Sequence, residues 1–331
     1  MIQVESMRIL CFIRAIFPLK GRKTLTNHTG WIIYNGHLMT TKFTDYVQWF
    51  REVAEQHGIA MEVKTNDQLI VTNDPTTPIF DVVEKGPAQL PDFIHFADKD
   101  LHLARQLNRR GVPIFNAPDA IAICDNKSLM HEHLFDHNIP TPKTMLAPMI
   151  YSGMPLKNEQ YINAIISELG LPLIIKEAYG SFGQQVYWVN TKEELLDTAK
   201  KLVGVDHLYQ RPVMTSIGVD LRLNVIGGEV VAAMKRTSAT DFRANVTAGG
   251  TTEIYHPSAE EKRIAMMATK AVGADFAGVD LLVGKEGPIV CEVNSNPHIR
   301  SIYECTGIDV AVPMIDFIIK KVSHIPDRRG V

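Results

Sequence analysis

From Trp31 to Val322, short apolar runs alternate with segments of helical period. That alternation restricts the chain to folds in which strands and helices follow one another. Trp31-Ile32-Ile33-Tyr34 reads as a strand; Phe43, Val47, Phe50 and Ala54 then recur at helical spacing, and Gly58 ends that helix. Strand signals at Met61–Val63, Phe93–Phe96 and Pro113–Phe115, with a helix around Leu101–Leu107, complete a small α/β unit over residues 29–115.

A second unit, 116–207, opens with helical patterns at Ala120–Cys124 and Asn126–Asp136. The segment Ile139-Pro140-Thr141-Pro142 stops the helix and leads toward a strand. A helix at Tyr161–Leu169, strands at Leu173–Lys176 and Gln185–Val189, and a helix at Lys192–Leu202 follow. A third unit, 208–325, holds two hairpins. Asp220–Ile226 and Glu229–Lys235 meet through Gly227-Gly228, a strong two-residue turn signal. Ala277–Val283 and Pro288–Val293 turn through Gly284-Lys285-Glu286-Gly287. Between them Ser258 and Glu261 form a capping box for a helix running to about Ala274, and a last helix spans roughly Val310–Val322.

Composition narrows the function class. A chain of 331 residues, 45% apolar and 21% charged, is globular and long enough for two or three subdomains. A net charge of −3 gives no general attraction for nucleic acid. Four cysteines without a CxxC pair fit a reducing cytoplasm and no zinc site, and His131 and His133, two apart on a helix, do not share a face. Residues 1–28 are apolar and basic, interrupted by Arg14, and too short an apolar run to span a bilayer. They read as an N-terminal extension of the fold or an upstream start of translation, and no membrane partner is expected.

Three oxygen donors stand out near the end of the chain. Glu292 and Asn294 are two apart on a strand and so share a face, and the hairpin register brings Asp280 across from Cys291 or Glu292. Two carboxylates and an amide suit Mg²⁺, a hard cation that prefers oxygen. Lys176 closes the apolar strand Pro172-Leu173-Ile174-Ile175, where a buried ammonium needs an anion. Gly180, Ser181 and Gly183 follow it in a loop whose backbone N–H groups can approach phosphate oxygens, although the P-loop pattern is absent. Lys127 follows Asp125-Asn126 at a helix start. Asp220 and Arg222 share one strand face, Ala233 and Lys235 another, and Arg243 and Asn245 precede the flexible Thr247-Ala248-Gly249-Gly250. Such cations would complement a triphosphate and a carboxylate substrate.

Taken together, DNK (125–127), PLIIKEAYGSFGQQV (172–186), YQRPV (209–213), VDLRLNVIGGEVVAAMKR (219–236), DFRANVTAGG (241–250), AGVDLLV (277–283) and CEVNSNP (291–297) resemble the RimK-type ATP-grasp ligases, glutamate ligases among them. The resemblance covers about residues 116–325. It implies an ATP-grasp fold, α/β and α+β, preceded by a small α/β pre-ATP-grasp domain. It also implies that Lys127 and Lys176 contact phosphates, that Gln210, Arg211, Pro212 and Val213 form the hinge against adenine, and that Asp220 lies by the nucleotide, near the ribose. Arg243 and Asn245 would face the phosphates, and Asp280, Glu292 and Asn294 would ligate the metal. Arg211 departs from the family, which usually has glutamate there. Gly278 stands where cell-wall dipeptide ligases carry arginine, which argues against that activity.

The implied cofactors are ATP and one or two Mg²⁺, with Mn²⁺ as a substitute. The implied reaction joins a carboxylate to an amine through an acyl phosphate, with Lys176, Arg243 and Arg222 as the catalytic cations. The implied partners are a carboxylate acceptor (peptide, protein or small molecule) and an amine such as L-glutamate, with self-association as in relatives. Two alternatives stay open: a kinase that stops at phosphoryl transfer, and a nucleotide-binding module without catalysis.

Overall fold

A computed structural model describes residues 28–323 apart from 39, 75, 181–182 and 245–248. The basic, apolar N-terminal segment, Ser181 and Asn245 therefore lie outside the described residues. Among the described residues, no helix is long and apolar enough to cross a membrane.

The N-terminal unit is built from β1 (Thr29–Tyr34), α1 (Thr41–Gln56), β2 (Ala60–Thr65), three short strands β3 (Leu69–Ile70), β4 (Phe80–Asp81) and β5 (Gly86–Pro87), then β6 (Phe93–Phe96), α2 (Leu101–Arg109) and β7 (Ile114–Phe115). Its main sheet has the order β2-β1-β6-β7 with all pairs parallel, and β3-β4-β5 form a separate small antiparallel sheet. Parallel strands need helical crossovers that cover both faces, which is why β1 reads as a continuous apolar run. Trp31 and Ile33 face one core with Ile94 and Leu107, while Ile32 faces the other with Phe50 and Phe93.

Two helices follow, α3 (Pro118–Asp125) and α4 (Lys127–Asp136). Asn126 caps α4 by accepting from the Leu129 amide at 3.0 Å. Next come β8 (Thr144–Leu146), α5 (Gln160–Leu169), β9 (Leu173–Glu177), β10 (Val186–Val189), α6 (Lys192–Lys201) and β11 (His207–Gln210). These strands form an antiparallel sheet in the order β10-β9-β11-β8, with its own core of Ile162, Ile165, Leu173, Ile175, Leu195 and Tyr209.

The last layer contains β12 (Val219–Ile226), β13 (Glu229–Thr237), β14 (Thr251–Ile254), α7 (Ala259–Ala271), β15 (Phe276–Gly284), β16 (Gly287–Asn294), α8 (Ile299–Thr306) and α9 (Ala311–Val322). Its sheet runs β14-β13-β12-β15-β16, antiparallel throughout. Gly227 and Gly228 turn the first hairpin at φ of 59° and 87°, the left-handed region that a two-residue loop demands at both positions. Ser258 and Glu261 make the capping box of α7, with bonds of 3.3 and 2.7 Å. One face of this sheet shares a core with α3, α4 and α7 through Cys124, Met130, Leu134 and Ile264. At its far end Phe276, Ile302 and Ile315 pack with Phe50 and Phe93 of the N-terminal unit. Each such fully buried side chain contributes ~2 kcal/mol.

Asn116 fixes the junction of the first unit with this sheet. It is fully buried, and its amide donates to Phe276 O at 2.9 Å and Ser295 O at 2.6 Å. Its Oδ1 accepts from the amides of Asp275 at 2.6 Å and Phe276 at 2.9 Å. Asn116→Ala strands buried donors and acceptors on both strands, and is expected to lower unfolding free energy by about 3 kcal/mol. Urea denaturation followed by tryptophan fluorescence measures it, and a loss below about 0.5 kcal/mol would show these bonds to be dispensable.

Candidate active site

A cavity of about 930 Å³ opens between the central sheet and the C-terminal sheet and reaches the N-terminal unit. Ligand pockets commonly span roughly 300–1,000 Å³, so this one has room for a large ligand or two smaller ones.

Its floor is the C-terminal sheet. Asp280 on β15 pairs directly with Glu292 on β16, and Gly278 pairs with Asn294, so the three oxygen donors share one face. The register shifts by one between Asp280 and Leu281, leaving Cys291 as an extra residue in β16. Continuing the register of the turn would have set Cys291 opposite Asp280 and turned Glu292 to the other side. The bulge brings both Cys291 and Glu292 to the cavity wall.

A second bulge, between Asn224 and Val225, shifts the β12–β13 register in the same way. Asp220 therefore lies opposite Arg236, not Lys235. Sequence reading grouped Lys235 with the cations available to a substrate, and the structure corrects this. Lys235 points outward to Glu253 at 2.7 Å, and the cation it missed is Arg236. Arg236 grips Asp220 with bonds of 2.6 and 2.7 Å and reaches Asp280 Oδ1 at 2.9 Å. Arg222 holds Asp280 from the other side through Nε, and through Nη2 at 2.9 Å. The result is a row of alternating charges, Asp220, Arg236, Asp280 and Arg222, across three strands. Burial raises the pKa of both carboxyls. For Asp280 the two guanidiniums outweigh burial and hold it below the usual carboxylate range. Asp220 is gripped by Arg236 alone, and there burial wins, so its pKa is raised.

The roof comes from the central sheet and α4. Lys176 on β9 is 8% exposed, and its Nζ lies 3.6 Å from Cys291 Sγ. Lys127 opens α4, equally buried; its Nζ donates to Gly180 O at 3.0 Å and sits 3.7 Å from Glu292 Oε1. It thus links the glycine loop to the floor. Arg243 is clasped by Asp241 at 2.6 and 2.9 Å and donates through Nη1 to Gly183 O, tying the same loop to the C-terminal unit.

At the inner end, Gln210 closes β11 and leads into Arg211, Pro212 and Val213, which line the cavity. The Gln210 amide donates to Thr144 Oγ1 at 2.9 Å and meets His131 Nε2 at 3.2 Å. The Gln210 side-chain amide is thus held between Thr144 and the His131 ring. Burial, with Lys176 and Lys127 nearby, pushes the His131 pKa down to about 3, which keeps the ring neutral. Sequence reading weighs His131 only as a metal ligand; its place behind Gln210 depends on a contact 79 residues away in the chain. The Arg211 guanidinium turns aside to cap α5, donating to Leu169 O at 2.9 Å and Glu168 O at 2.6 Å, so this position offers the cavity backbone rather than charge.

The floor retains acceptors for a cation. Asn294 donates its amide to Gly278 O at 3.3 Å, which leaves Oδ1 as an acceptor. Asp280 Oδ1 takes two N–H donors and Oδ2 one, so one lone pair stays open on Oδ2. Among the described residues, Glu292 makes one long contact, with Lys127. Among the described residues no cluster of three His, Cys, Asp or Glu side chains forms a metal site, and this set is two carboxylates and an amide. All-oxygen donors with incomplete protein coordination fit Mg²⁺, which keeps waters and phosphate oxygens in its shell.

A family model, the RimK-like ATP-grasp domain, matches residues 124–318. A probable alpha-L-glutamate ligase of Parasynechococcus marenigrum is 32% identical over 288 residues, 84% of this chain and 60% of that protein. One of Pasteurella multocida is 30% identical over 295 residues, 84% of this chain and 91% of that protein. The chain spans about half to three-fifths of the length of the first curated relatives it matches. Among solved structures, the ATP-grasp ligase PsnB, complexed with a phosphomimetic variant of its minimal precursor, Mg and ADP, superposes with a TM-score of 0.64 at 18% identity, covering 89% of this chain and 99% of that one.

Proposed function

The chain belongs to the RimK-like ATP-grasp family, and from that membership and its cleft we propose that it is an ATP- and Mg²⁺-dependent carboxylate–amine ligase. The observation that carries this reading is the convergence of Lys127 on α4, Lys176 on β9, Arg243 after β13, Asp280 on β15, and Glu292 and Asn294 on β16 on one cavity. MgATP would supply the γ-phosphoryl group that converts a substrate carboxylate into an acyl phosphate, a far better acyl donor than a carboxylate.

The chain's own residues do the rest. Gln210 to Val213 seat the base edge through backbone groups, with the Gln210 amide held by His131 and Thr144. Lys127 and Lys176 hold phosphate oxygens and offset charge that develops during transfer. Asp280, Glu292 and Asn294 hold the metal. Lys127 and Arg243 hold the Gly180 and Gly183 carbonyls at the cavity, and keeping water out there would spare the activated acyl group from hydrolysis. No side chain stands out as a dedicated base, so positioning of the amine carries the second half-reaction. L-Glutamate is the first amine to try, by analogy with the curated relatives, and a reducing cytoplasm belongs to the same reading.

The test is ADP release with L-glutamate and candidate carboxylate acceptors, with products weighed by mass spectrometry. The ligase reading expects ADP only when acceptor and amine are both present, and a product heavier by one condensed amine. A stable phosphorylated acceptor formed without any amine would replace it with the kinase reading.

A further inference from the structure

The parallel sheet of the N-terminal unit ends at the cavity. The chain runs from β1 through α1 to β2 on one side of β1, then comes back to β6 on the other side. Helix α1 packs on one face of this sheet and α2 on the opposite face. Such a reversal leaves a crevice outside the carboxyl ends of the two central strands, which is where open α/β sheets bind ligands. Asn35 directly follows β1 there, Asp98 stands two residues past β6, and both line the cavity.

Of the seven carboxylates that line the cavity, six have a lysine or arginine nitrogen within 3.7 Å. Asp98, 9% exposed, is the seventh. Among the described residues its carboxylate is held by N–H groups of neutral amides: Lys99 N donates to Oδ1 at 2.7 Å, and Asn35 Nδ2 to Oδ2 at 3.4 Å. The Lys99 ammonium pairs with Asp125. Burial raises the Asp98 pKa, and Asp100 adds to the rise. A buried carboxylate held by neutral donors lacks a counter-ion, so a cation arriving there would gain a charge-assisted bond.

Asp98 is also tied to the metal face. Asn296, two residues beyond Asn294, donates Nδ2 to Asp98 O at 3.4 Å. The Asn296 Oδ1 is buried and has no donor among the described residues. Two acceptors with incomplete partners, Asp98 Oδ2 and Asn296 Oδ1, therefore stand beside the strand that carries Glu292 and Asn294. Elsewhere the wall presents Lys127, Lys176 and Arg243, which attract anions and repel an ammonium. An ammonium carries three N–H donors and no acceptor, the complement of the Asp98 wall.

We propose that Asp98 seats the ammonium group of the incoming amine, with Asn296 Oδ1 as a second acceptor. The assignment rests on the ligase reading, in which positioning of the amine carries the second half-reaction, and it names the side chain that does the positioning.

The probes are n-butylammonium and 1-butanol, alike in shape and different in charge. Their binding is followed by ligand-observed NMR on the full chain with Mg²⁺ and ADP. The parent should bind n-butylammonium about tenfold more tightly than 1-butanol. In Asp98→Asn, n-butylammonium should weaken about tenfold while 1-butanol and ADP stay within about twofold. Equal affinity of the parent for the two probes would overturn the seat even if the variant failed to fold. Unchanged n-butylammonium binding in Asp98→Asn would do the same. Failure of the parent to bind ADP would be a different result: it would remove the ligase reading, and this seat with it.

Discussion

A Glu292→Gln variant is expected to lose ATP turnover by about 10²–10³-fold while keeping the parent's fold. The prediction separates function from stability because of where Glu292 sits. Its side chain is 30% exposed and its one ion pair, with Lys127, is 3.7 Å long, so removing the charge strands no tightly held partner. Glutamine preserves the shape and one carbonyl oxygen. What disappears is half of the carboxylate charge available to a divalent cation, since Asn294 is neutral and Asp280 already shares its charge with two arginines. The measurement is ADP release as a function of Mg²⁺ concentration, beside a thermal melt. A raised Mg²⁺ requirement with an unchanged melt is the signature of a metal ligand. Parental turnover at low Mg²⁺ would remove Glu292 from the site. Asp280→Asn is a poorer test, because it also leaves Arg222 and Arg236 buried with less charge to hold.

The elements that could be read from sequence are those whose signal is local. The Gly227-Gly228 turn, the Ser258–Glu261 capping box and the alternation of β1, α1 and β2 each depend on residues a few positions apart. The site was legible to the same degree: Lys176 at the end of an apolar strand and Glu292-x-Asn294 on one face are local patterns. The two bulges were not. Each adds one residue to one strand, at Asn224/Val225 and Asp280/Leu281, and each inverts which neighbour faces the cleft. No residue type announces them, and period-two alternation alone does not decide whether Lys235 or Arg236 meets Asp220. The sheet β3-β4-β5 went unseen because strands of two residues carry no period. Helix α8 was overlooked for a related reason: it follows His298 without a capping side chain and is only eight residues long. The meeting of α1 and α8 through Asp45 and Arg300 is likewise a matter of tertiary packing.

Arg236→Met is expected to destabilise the fold by about 3–5 kcal/mol, the largest stability loss of any substitution considered for this cleft. Arg236 is 6% exposed between Asp220 at 8% and Asp280 at 6%. Methionine fills much of its volume yet takes from Asp220 its hydrogen-bonded cation and leaves Asp280 with Arg222. Two buried carboxylates that face each other across a lost guanidinium cannot both remain charged at low cost. The pH dependence gives a sharper readout than the loss itself. In the parent, Asp280 has a folded pKa below its unfolded value near 3.8. Its contribution is therefore fully present above that value and is lost as pH falls through the folded pKa. Asp220, whose folded pKa is already raised, opposes that slope in the parent. In the variant Asp280 should join it, with a folded pKa above the unfolded value. The folded state then binds the proton more readily, and stability should rise as pH falls toward 4. Urea midpoints for parent and variant between pH 7 and pH 4 measure both slopes. A variant whose midpoint changes with pH as the parent's does would mean that Arg222 alone holds Asp280 in its charged form, and the row of four charges would then be no unit at all.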